Sequence, residues 1–179
     1  MLNKSKKCIC LCYNRAMGTK KSKDKKTNVM RLLDQAGIAY TSHNYESTGA
    51  ISGTEVAAVL GQDPNMTFKT LVTHGRQEHY VFIVPVAAEL DLKKAASAVG
   101  EKSIDMIKQK ELLPLTGYVH GGCSPIGMKK PFRTVIDETA LLYDTIMFSA
   151  GKIGWQVEMD PQDLEQMIEL EYADITKAE

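Results

Sequence analysis

Apolar and polar positions follow two periods along this chain, and the changes of period predict where helices and strands begin and end. A period near 3.6 residues predicts a helix over residues 27–35, with Thr27 as its N-cap and Gly37 as its stop. Mixed spacing over 38–45 favours a strand. Ser52 and Glu55 have the spacing of a capping box, which predicts a second helix that ends at Gly61.

The middle of the chain reads as a hairpin followed by short elements. Residues 67–73 and 79–86 are rich in strand-forming residues, and the turn-forming stretch 75–78 lies between them. The second of these runs is nearly continuously apolar, so it predicts a strand covered on both faces. The later predictions are a helix over 92–99, a short strand or turn over 104–107, a helix over 108–113 closed by Pro114, strands over 134–137, 145–148 and 155–158 (the last half-buried), and a helix from Pro161 to about 171.

Hairpins and helices follow one another without a regular βαβ repeat, and this order predicts an α+β or mixed α/β fold. At 179 residues, of which 44% are hydrophobic and 25% charged, the chain is suited to one domain with a substantial core. A single domain is therefore expected.

Charge divides the chain into two parts. Residues 1–26 contain nine Lys or Arg and one Asp, a net charge of +8, whereas residues 27–179 contain 13 Lys or Arg and 21 acidic residues, a net charge of −8. Affinity for a polyanion comes largely from Lys and Arg. An acidic domain of this kind is therefore expected to hold a nucleic acid locally rather than along its length.

The basic segment 1–26 is predicted to be a disordered extension, and Met17 is an alternative translation start. Its apolar part is too short for a signal peptide or a membrane span, so a cytoplasmic protein without membrane contact is expected. Cys8, Cys10 and Cys12 lack a fourth nearby ligand for a tetrahedral metal site, and Cys123 has no partner for a disulfide within 27–179. No metal or organic cofactor is predicted.

A glycine-rich loop from Gly121 to Gly127 is the strongest local indication of a binding site. Such a loop lets a ligand approach backbone N–H groups closely, although an ordinary turn has the same composition. The two glycines Gly122 and Gly127 are spaced as in a P-loop, but Met128 and Lys129 follow where a P-loop needs Lys and then Ser or Thr. A nucleotide-phosphate site is thus disfavoured.

Two further segments accompany this loop: Phe68-Lys69-Thr70-Leu71, and residues 149–154 after the strand predicted over 145–148. In this order and spacing the three segments resemble the YbaK/prolyl-tRNA editing-domain family, and the similarity extends over about 27–174. The resemblance implies a curved, mixed and mostly antiparallel sheet or partial barrel flanked by helices, with residues 27–179 as the editing domain. It also implies hydrolysis of mischarged aminoacyl-tRNA, most similar to the freestanding Cys-tRNA(Pro) deacylases.

The same resemblance implies the site residues. Lys69 corresponds to a lysine required for activity, although a lone lysine on a strand is more often a solvated charge. Gly121 would hold a carbonyl oxygen through backbone N–H groups. Cys123 is interpreted as loop packing, and the thiol of a cysteinyl substrate would attack its own ester. The residues implied to bind substrate are Tyr45, Thr70, Gly122, Ser124, Ser149, Gly151, Lys152 and Gln156.

Two departures from the family leave the substrate open. Gln156 stands where the cysteine-specific branch commonly has an aspartate, and Ser52 stands where some relatives have an aromatic residue. The alternatives are therefore Cys-tRNA(Cys), Ala-tRNA(Pro), a broader range of aminoacyl-tRNA, or a non-catalytic module that binds synthetase or tRNA. The expected partners are the 3′ end of an aminoacyl-tRNA and a prolyl-tRNA synthetase that delivers it.

Overall fold

The computed structural model describes residues 26–178. The predicted disordered extension, the alternative start at Met17 and the cysteines at positions 8, 10 and 12 lie outside the described residues. The helices are α1 (Asn28–Ala36), α2 (Gly53–Leu60), α3 (Leu92–Val99), α4 (Gln109–Thr116) and α5 (Pro161–Leu164). The strands are β1 (Thr41–Asn44), β2 (Phe68–His74), β3 (His79–Pro85), β4 (Asp105–Met106), β5 (Arg133–Asp137), β6 (Ile146–Ser149), β7 (Trp155–Met159) and β8 (Leu170–Ala173).

Local capping signals define the first three helices. The Thr27 hydroxyl accepts a hydrogen bond from the Met30 N–H at 3.3 Å, and Gly37 ends α1 in the left-handed conformation. Ser52 and Glu55 form the predicted capping box at the start of α2. The Asp91 carboxylate accepts hydrogen bonds from the Lys93 and Lys94 N–H groups at the start of α3. The caps predicted for α1 and α2 and the helix predicted over 92–99 are confirmed, because the capping contacts depend only on residues within one turn of the helix end.

Strands β4, β2, β3, β5 and β8 form a mixed sheet in that order. Strand β2 is antiparallel to β3 and β4, whereas β5 is parallel to β3 and β8. Strand β3 is buried along six of its seven residues, as its apolar sequence predicted. Val81 and Ile83 face the larger hydrophobic core, while Phe82 and Val84 face a second core under α3. The central strand thus separates two packed layers.

Strands β1, β7 and β6 form a separate antiparallel sheet. The two sheets meet at Thr67, just before β2, where Thr67 forms an isolated parallel bridge with Met147 of β6. The Met147 N–H donates to the Met66 carbonyl at 2.9 Å, and the Val86 N–H donates to the Thr67 carbonyl at 2.7 Å. The described residues form one α+β domain without a closed barrel, in agreement with the predicted fold class.

The predicted final helix over 161–171 is wrong. Helix α5 ends at Leu164, and Leu170–Ala173 form strand β8, which pairs in parallel with β5. Local sequence is compatible with a longer helix, but pairing with the sheet satisfies the backbone of these residues instead. Tertiary contacts therefore override the local preference.

Three smaller predictions also need correction. Pro114 does not close its segment, because α4 continues through it to Thr116, where the Gly117 N–H donates to the Leu113 carbonyl at 2.9 Å. Strand β1 is only four residues long rather than the eight of 38–45. Strand β7 is buried at every position except Glu158, because it is the central strand of its sheet with β1 and β6 on either side.

Within residues 26–178 there is no helix of the length and apolar character that a membrane span requires.

Candidate functional site

A cavity of about 360 Å³ lies at the start of β2, close to the junction of the two sheets. It brings together segments that are far apart in the sequence: the start of α2, the start of β2, the glycine-rich loop, the end of β6 and the start of β7. Six of the predicted site residues line it, together with Ser52: Tyr45, Lys69, Thr70, Gly121, Ser149 and Gln156.

Lys69 is held in place at this cavity by backbone carbonyls. Its ammonium nitrogen Nζ donates to the Ala88 carbonyl at 2.7 Å and to the Val86 carbonyl at 3.4 Å. Partial burial lowers the pKa of Lys69 from its ordinary value, and the charge of Glu89 opposes this effect. An ammonium has three N–H donors, so two carbonyl bonds leave one for a ligand in the cavity.

The glycine-rich loop contributes backbone to the opposite wall. Gly121 has φ of +80°, a conformation that residues with a side chain rarely adopt. No hydrogen bond within residues 26–178 uses the Gly121 N–H, whereas the Gly122 N–H donates to the Val119 carbonyl at 3.0 Å. Of these two donors, only that of Gly121 is without a partner among the described residues.

Tyr45 is fixed by the turn between β6 and β7. Its N–H donates to the Gly154 carbonyl at 2.8 Å, and burial raises the pKa of its phenol. Gly154 has φ of +91°, and a Cβ at this position would lie 3.0 Å from the Glu46 Cα. This close approach requires glycine at 154, and it holds the Tyr45 ring as a buried part of the cavity wall.

Two polar atoms at the cavity are buried without a hydrogen-bond partner: the Thr70 hydroxyl oxygen Oγ1 and the Gln156 amide oxygen Oε1. Buried polar atoms in folded proteins are nearly always paired, because an unpaired group costs about 1–3 kcal/mol. Both atoms belong to residues of the cavity wall and have unused hydrogen-bonding capacity.

Cys123 also borders the cavity, but its chemistry is that of a buried thiol. Only 8% of the residue is exposed, and burial raises the thiol pKa to about 12. His120 lines the same cavity, and no hydrogen bond within residues 26–178 joins it to the sulfur. A nucleophilic cysteine needs a lowered pKa or an adjacent base, and this residue has neither.

The other four predicted binding residues do not line the cavity. Ser124 is fully buried and accepts the Ile126 N–H at 3.3 Å. Gly151 donates its N–H to the Ser149 hydroxyl, and Lys152 pairs with Glu46. Together with Gly122, these residues shape the turns behind the cavity wall rather than its surface.

Sequence reasoning missed several residues of the cavity wall, among them Val86 and Leu112. Nothing in the local pattern of either residue distinguishes it from an ordinary core position. Ile51 was also missed, although it is 64% exposed. Its position directly before Ser52, the N-cap of α2, was the one sequence feature that could have indicated a role in the cavity wall.

Comparison with known proteins agrees with this architecture. A sequence model described as the aminoacyl-tRNA editing domain matches residues 49–167. The chain is also 42% identical over 162 residues, 89% of its own length and 99% of the relative's, to EbsC of Enterococcus faecalis, which is named as a candidate Cys-tRNA(Pro)/Cys-tRNA(Cys) deacylase. This chain belongs to the aminoacyl-tRNA editing domain family.

Solved structures support the same assignment. A candidate trans-editing enzyme for prolyl-tRNA synthetase aligns with a TM-score of 0.73 at 26% identity, covering 84% of this chain and 95% of the other. A hypothetical protein aligns with a TM-score of 0.76 at 21% identity over 83% of this chain and 99% of its own, which shows the shared fold. The predicted family and the predicted enzyme class, an aminoacyl-tRNA deacylase, are confirmed.

The raised pKa of Cys123 predicts slow alkylation of the folded protein. At pH 8 a thiol with a pKa of about 12 is a thiolate in only ~0.01% of molecules, whereas an ordinary thiol near pKa 8.5 is about one quarter thiolate. Iodoacetamide should therefore label Cys123 at least about 100-fold more slowly in the folded protein than in urea. Peptide mass spectrometry separates Cys123 from the other cysteines. Equal rates in both states would show that the thiol is accessible and activated.

Proposed function

We propose that this protein is a trans-editing hydrolase that removes cysteine from mischarged Cys-tRNA(Pro), with Cys-tRNA(Cys) as a second substrate. The observation that carries the proposal is a cavity with an anchored ammonium and two unpaired polar atoms but no activated protein nucleophile. Such a site is suited to positioning a substrate that supplies its own nucleophile. The names of the relative and of the structural neighbour support the same substrate.

In the proposed reaction the substrate thiol attacks the ester carbonyl that joins cysteine to the terminal adenosine. A C–S bond forms, the C–O bond to the ribose breaks, and the thiol proton passes to the ribose oxygen. The products are the free 3′ end of the tRNA and a four-membered thiolactone, which water then opens to cysteine. Because cysteine carries the nucleophile, no protein side chain needs to form a covalent bond.

The residues at the cavity would stabilise this reaction by position and charge. The Gly121 N–H, which forms no hydrogen bond within residues 26–178, would donate to the carbonyl oxygen as negative charge develops on it. Lys69 would contact either that oxygen or the phosphate of the terminal nucleotide through its remaining N–H. Thr70 Oγ1 would bind the ribose, and Gln156 Oε1 would accept a hydrogen bond from the substrate ammonium. The buried Tyr45 would limit the size of the amino-acid side chain.

A second candidate is a broader deacylase that also accepts Ala-tRNA(Pro). Gln156 favours it, since a neutral amide at this position lacks the negative charge of the aspartate found in the cysteine-specific branch. Small side chains differ in binding by only ~1–3 kcal/mol, so one such change is enough to relax selectivity. A prolyl-tRNA synthetase that binds this protein would supply the charged tRNA directly in either case.

Replacing Lys69 by Met should abolish most of the activity. Met keeps the apolar stem of the side chain but removes the ammonium, and loss of one charge-stabilising donor typically lowers kcat by ~10²–10³. The measurement is single-turnover deacylation of Cys-tRNA(Pro). Wild-type activity should also decline at high pH, where Lys69 loses its proton at a pH lower than an exposed lysine would.

The control for this experiment is Cys123→Ala, which changes the same cavity without touching Lys69. Its rate should stay within a few-fold of the wild type, because the thiol has no role in the proposed chemistry. A rapid Lys69→Met enzyme together with an inactive Cys123→Ala enzyme would reverse the assignment and make Cys123 the nucleophile.

Replacing Gln156 by Leu should separate activity from stability. Leu has a similar shape but no oxygen, so kcat/KM for Cys-tRNA(Pro) should fall by about 10- to 100-fold, the range expected for a hydrogen bond to a charged group. The free energy of unfolding in urea should stay the same or rise, since the amide oxygen is unpaired in the folded protein.

The matched variant Gln156→Glu keeps an acceptor oxygen at the same place and should retain more activity than Gln156→Leu. If Gln156→Leu instead unfolds at lower urea concentration and Gln156→Glu is as inactive as Gln156→Leu, Gln156 supports the fold and does not bind the substrate.

A further inference from the structure

The positive side chains of this acidic domain are unevenly distributed. Residues 26–178 contain 14 Lys and Arg. Five of them pair with carboxylates, and Lys69 lies at the cavity. Eight exposed residues remain that form no ion pair within residues 26–178. They are Arg31, Arg76, Lys93, Lys102, Lys108, Lys110, Lys129 and Lys130.

Three of these eight, Lys110, Lys129 and Lys130, converge on helix α4; we call them the basic ridge. Lys110 is part of the helix, and the Lys129 ammonium donates to the Leu113 and Pro114 carbonyls at its C-terminal end, at 3.3 Å each. Lys130 follows directly, with its ammonium 5.2 Å from the centre of the Phe132 ring. Lys108, just before α4, extends the positive charge to the start of the helix.

His79 lies between the two ends of the ridge. It borders the same shallow surface pocket as Lys110, and the positive charge of Lys130 interacts with the His79 ring. Burial above all, with the charges of Lys130 and His74, lowers the pKa of His79, while Glu111 opposes the shift. Glu111 itself accepts the Lys108 N–H at 3.0 Å at the helix start. The net positive charge of this surface therefore comes from the lysines.

Helix α4 connects the ridge to the cavity. Leu112, on the same helix, lines the cavity wall, and the chain that leaves α4 reaches His120 and Gly121 within five residues. The Lys129 stem packs beside Gly117, the residue at which α4 ends. A ligand whose end occupies the cavity and whose body passes the C-terminal end of α4 would meet the ridge at Lys129.

We infer that the basic ridge binds the phosphate backbone of the acceptor stem of a tRNA whose charged 3′ end occupies the cavity. This inference rests on the proposed function, since it needs an aminoacylated tRNA as the ligand. Exposed lysines without carboxylate partners bind phosphates readily, and such contacts fix orientation without reading sequence. Residues 27–179 have a net charge of −8, which disfavours extensive contact between the nucleic acid and the rest of the domain.

The test replaces Lys110, Lys129 and Lys130 together by Gln. A fluorescent, uncharged acceptor-stem hairpin with a 3′ CCA end is titrated by anisotropy between 50 and 200 mM KCl. We expect the Kd at the lowest salt to rise at least about 10-fold. The slope of log affinity against log salt should become smaller by about 2–3, since each phosphate contact contributes close to one.

The matched control replaces Arg76, Lys93 and Lys102 by Gln, which removes the same charge from exposed positions outside the ridge. It should change the Kd by less than about threefold. Equal weakening by both triple variants would show that only overall charge matters, and no weakening by the ridge variant would show that RNA does not bind there. Either result overturns the inference.

Deacylation kinetics distinguish this inference from the proposed function. With the ridge variant, KM for full-length Cys-tRNA(Pro) should rise while kcat, and the hydrolysis of a short cysteinyl-CCA fragment, stay unchanged. If wild-type protein hydrolyses neither substrate, the proposed function fails, and the anisotropy titration still decides the ridge. If the ridge variant is impaired only when prolyl-tRNA synthetase is present, the ridge binds protein and the inference is overturned.

Discussion

The backbone contacts at Thr67 determine how this site is built. Thr67 is fully buried, accepts the Val86 N–H, and lies beside Met147 in the isolated bridge that joins the two sheets. One residue later the chain enters β2, which carries Lys69 and Thr70. The same junction therefore places the start of the five-stranded sheet against the end of β6 and the start of β7, and the cavity occupies the space between them.

This arrangement explains why the charged group at the cavity is stable there. A lysine in a partly buried position is destabilised by loss of water, and here two carbonyls from the segment after β3 replace part of that hydration. Val86 takes part twice, through its N–H to Thr67 and through its carbonyl to Lys69. Val86 therefore links the junction of the two sheets to the position of the Lys69 ammonium.

Much of the fold could be predicted from sequence because its signals are local. The caps of α1, α2 and α3 and the double burial of β3 depend on neighbouring residues or on a short apolar run. Strand β8 could not be predicted, since its pairing with β5 joins segments more than 30 residues apart. The same holds for the anchoring of Lys69, whose carbonyl partners are 17 and 19 residues away.

Family resemblance brought Lys69, Thr70, Tyr45, Gly121, Ser149 and Gln156 into consideration, and the structure brings all six to one cavity. The unpaired states of Thr70 Oγ1 and Gln156 Oε1 became visible only with coordinates, because they depend on every neighbouring side chain. Ser124 and Lys152 show the limit of motif reasoning. Both belong to matching segments, yet one is buried behind the wall and the other pairs with Glu46 at the surface.

The central claim is that the substrate, and not the protein, supplies the nucleophile. The most direct measurement compares deacylation of Cys-tRNA(Pro) with that of Ser-tRNA(Pro) by the wild-type protein, since the two esters differ only in sulfur and oxygen. We expect cysteine to be removed at least about 100-fold faster, because a thiol near pKa 8.5 is partly ionised at neutral pH and a hydroxyl is not. Equal rates for both esters would contradict the claim and would require a nucleophile or an activated water held by the protein.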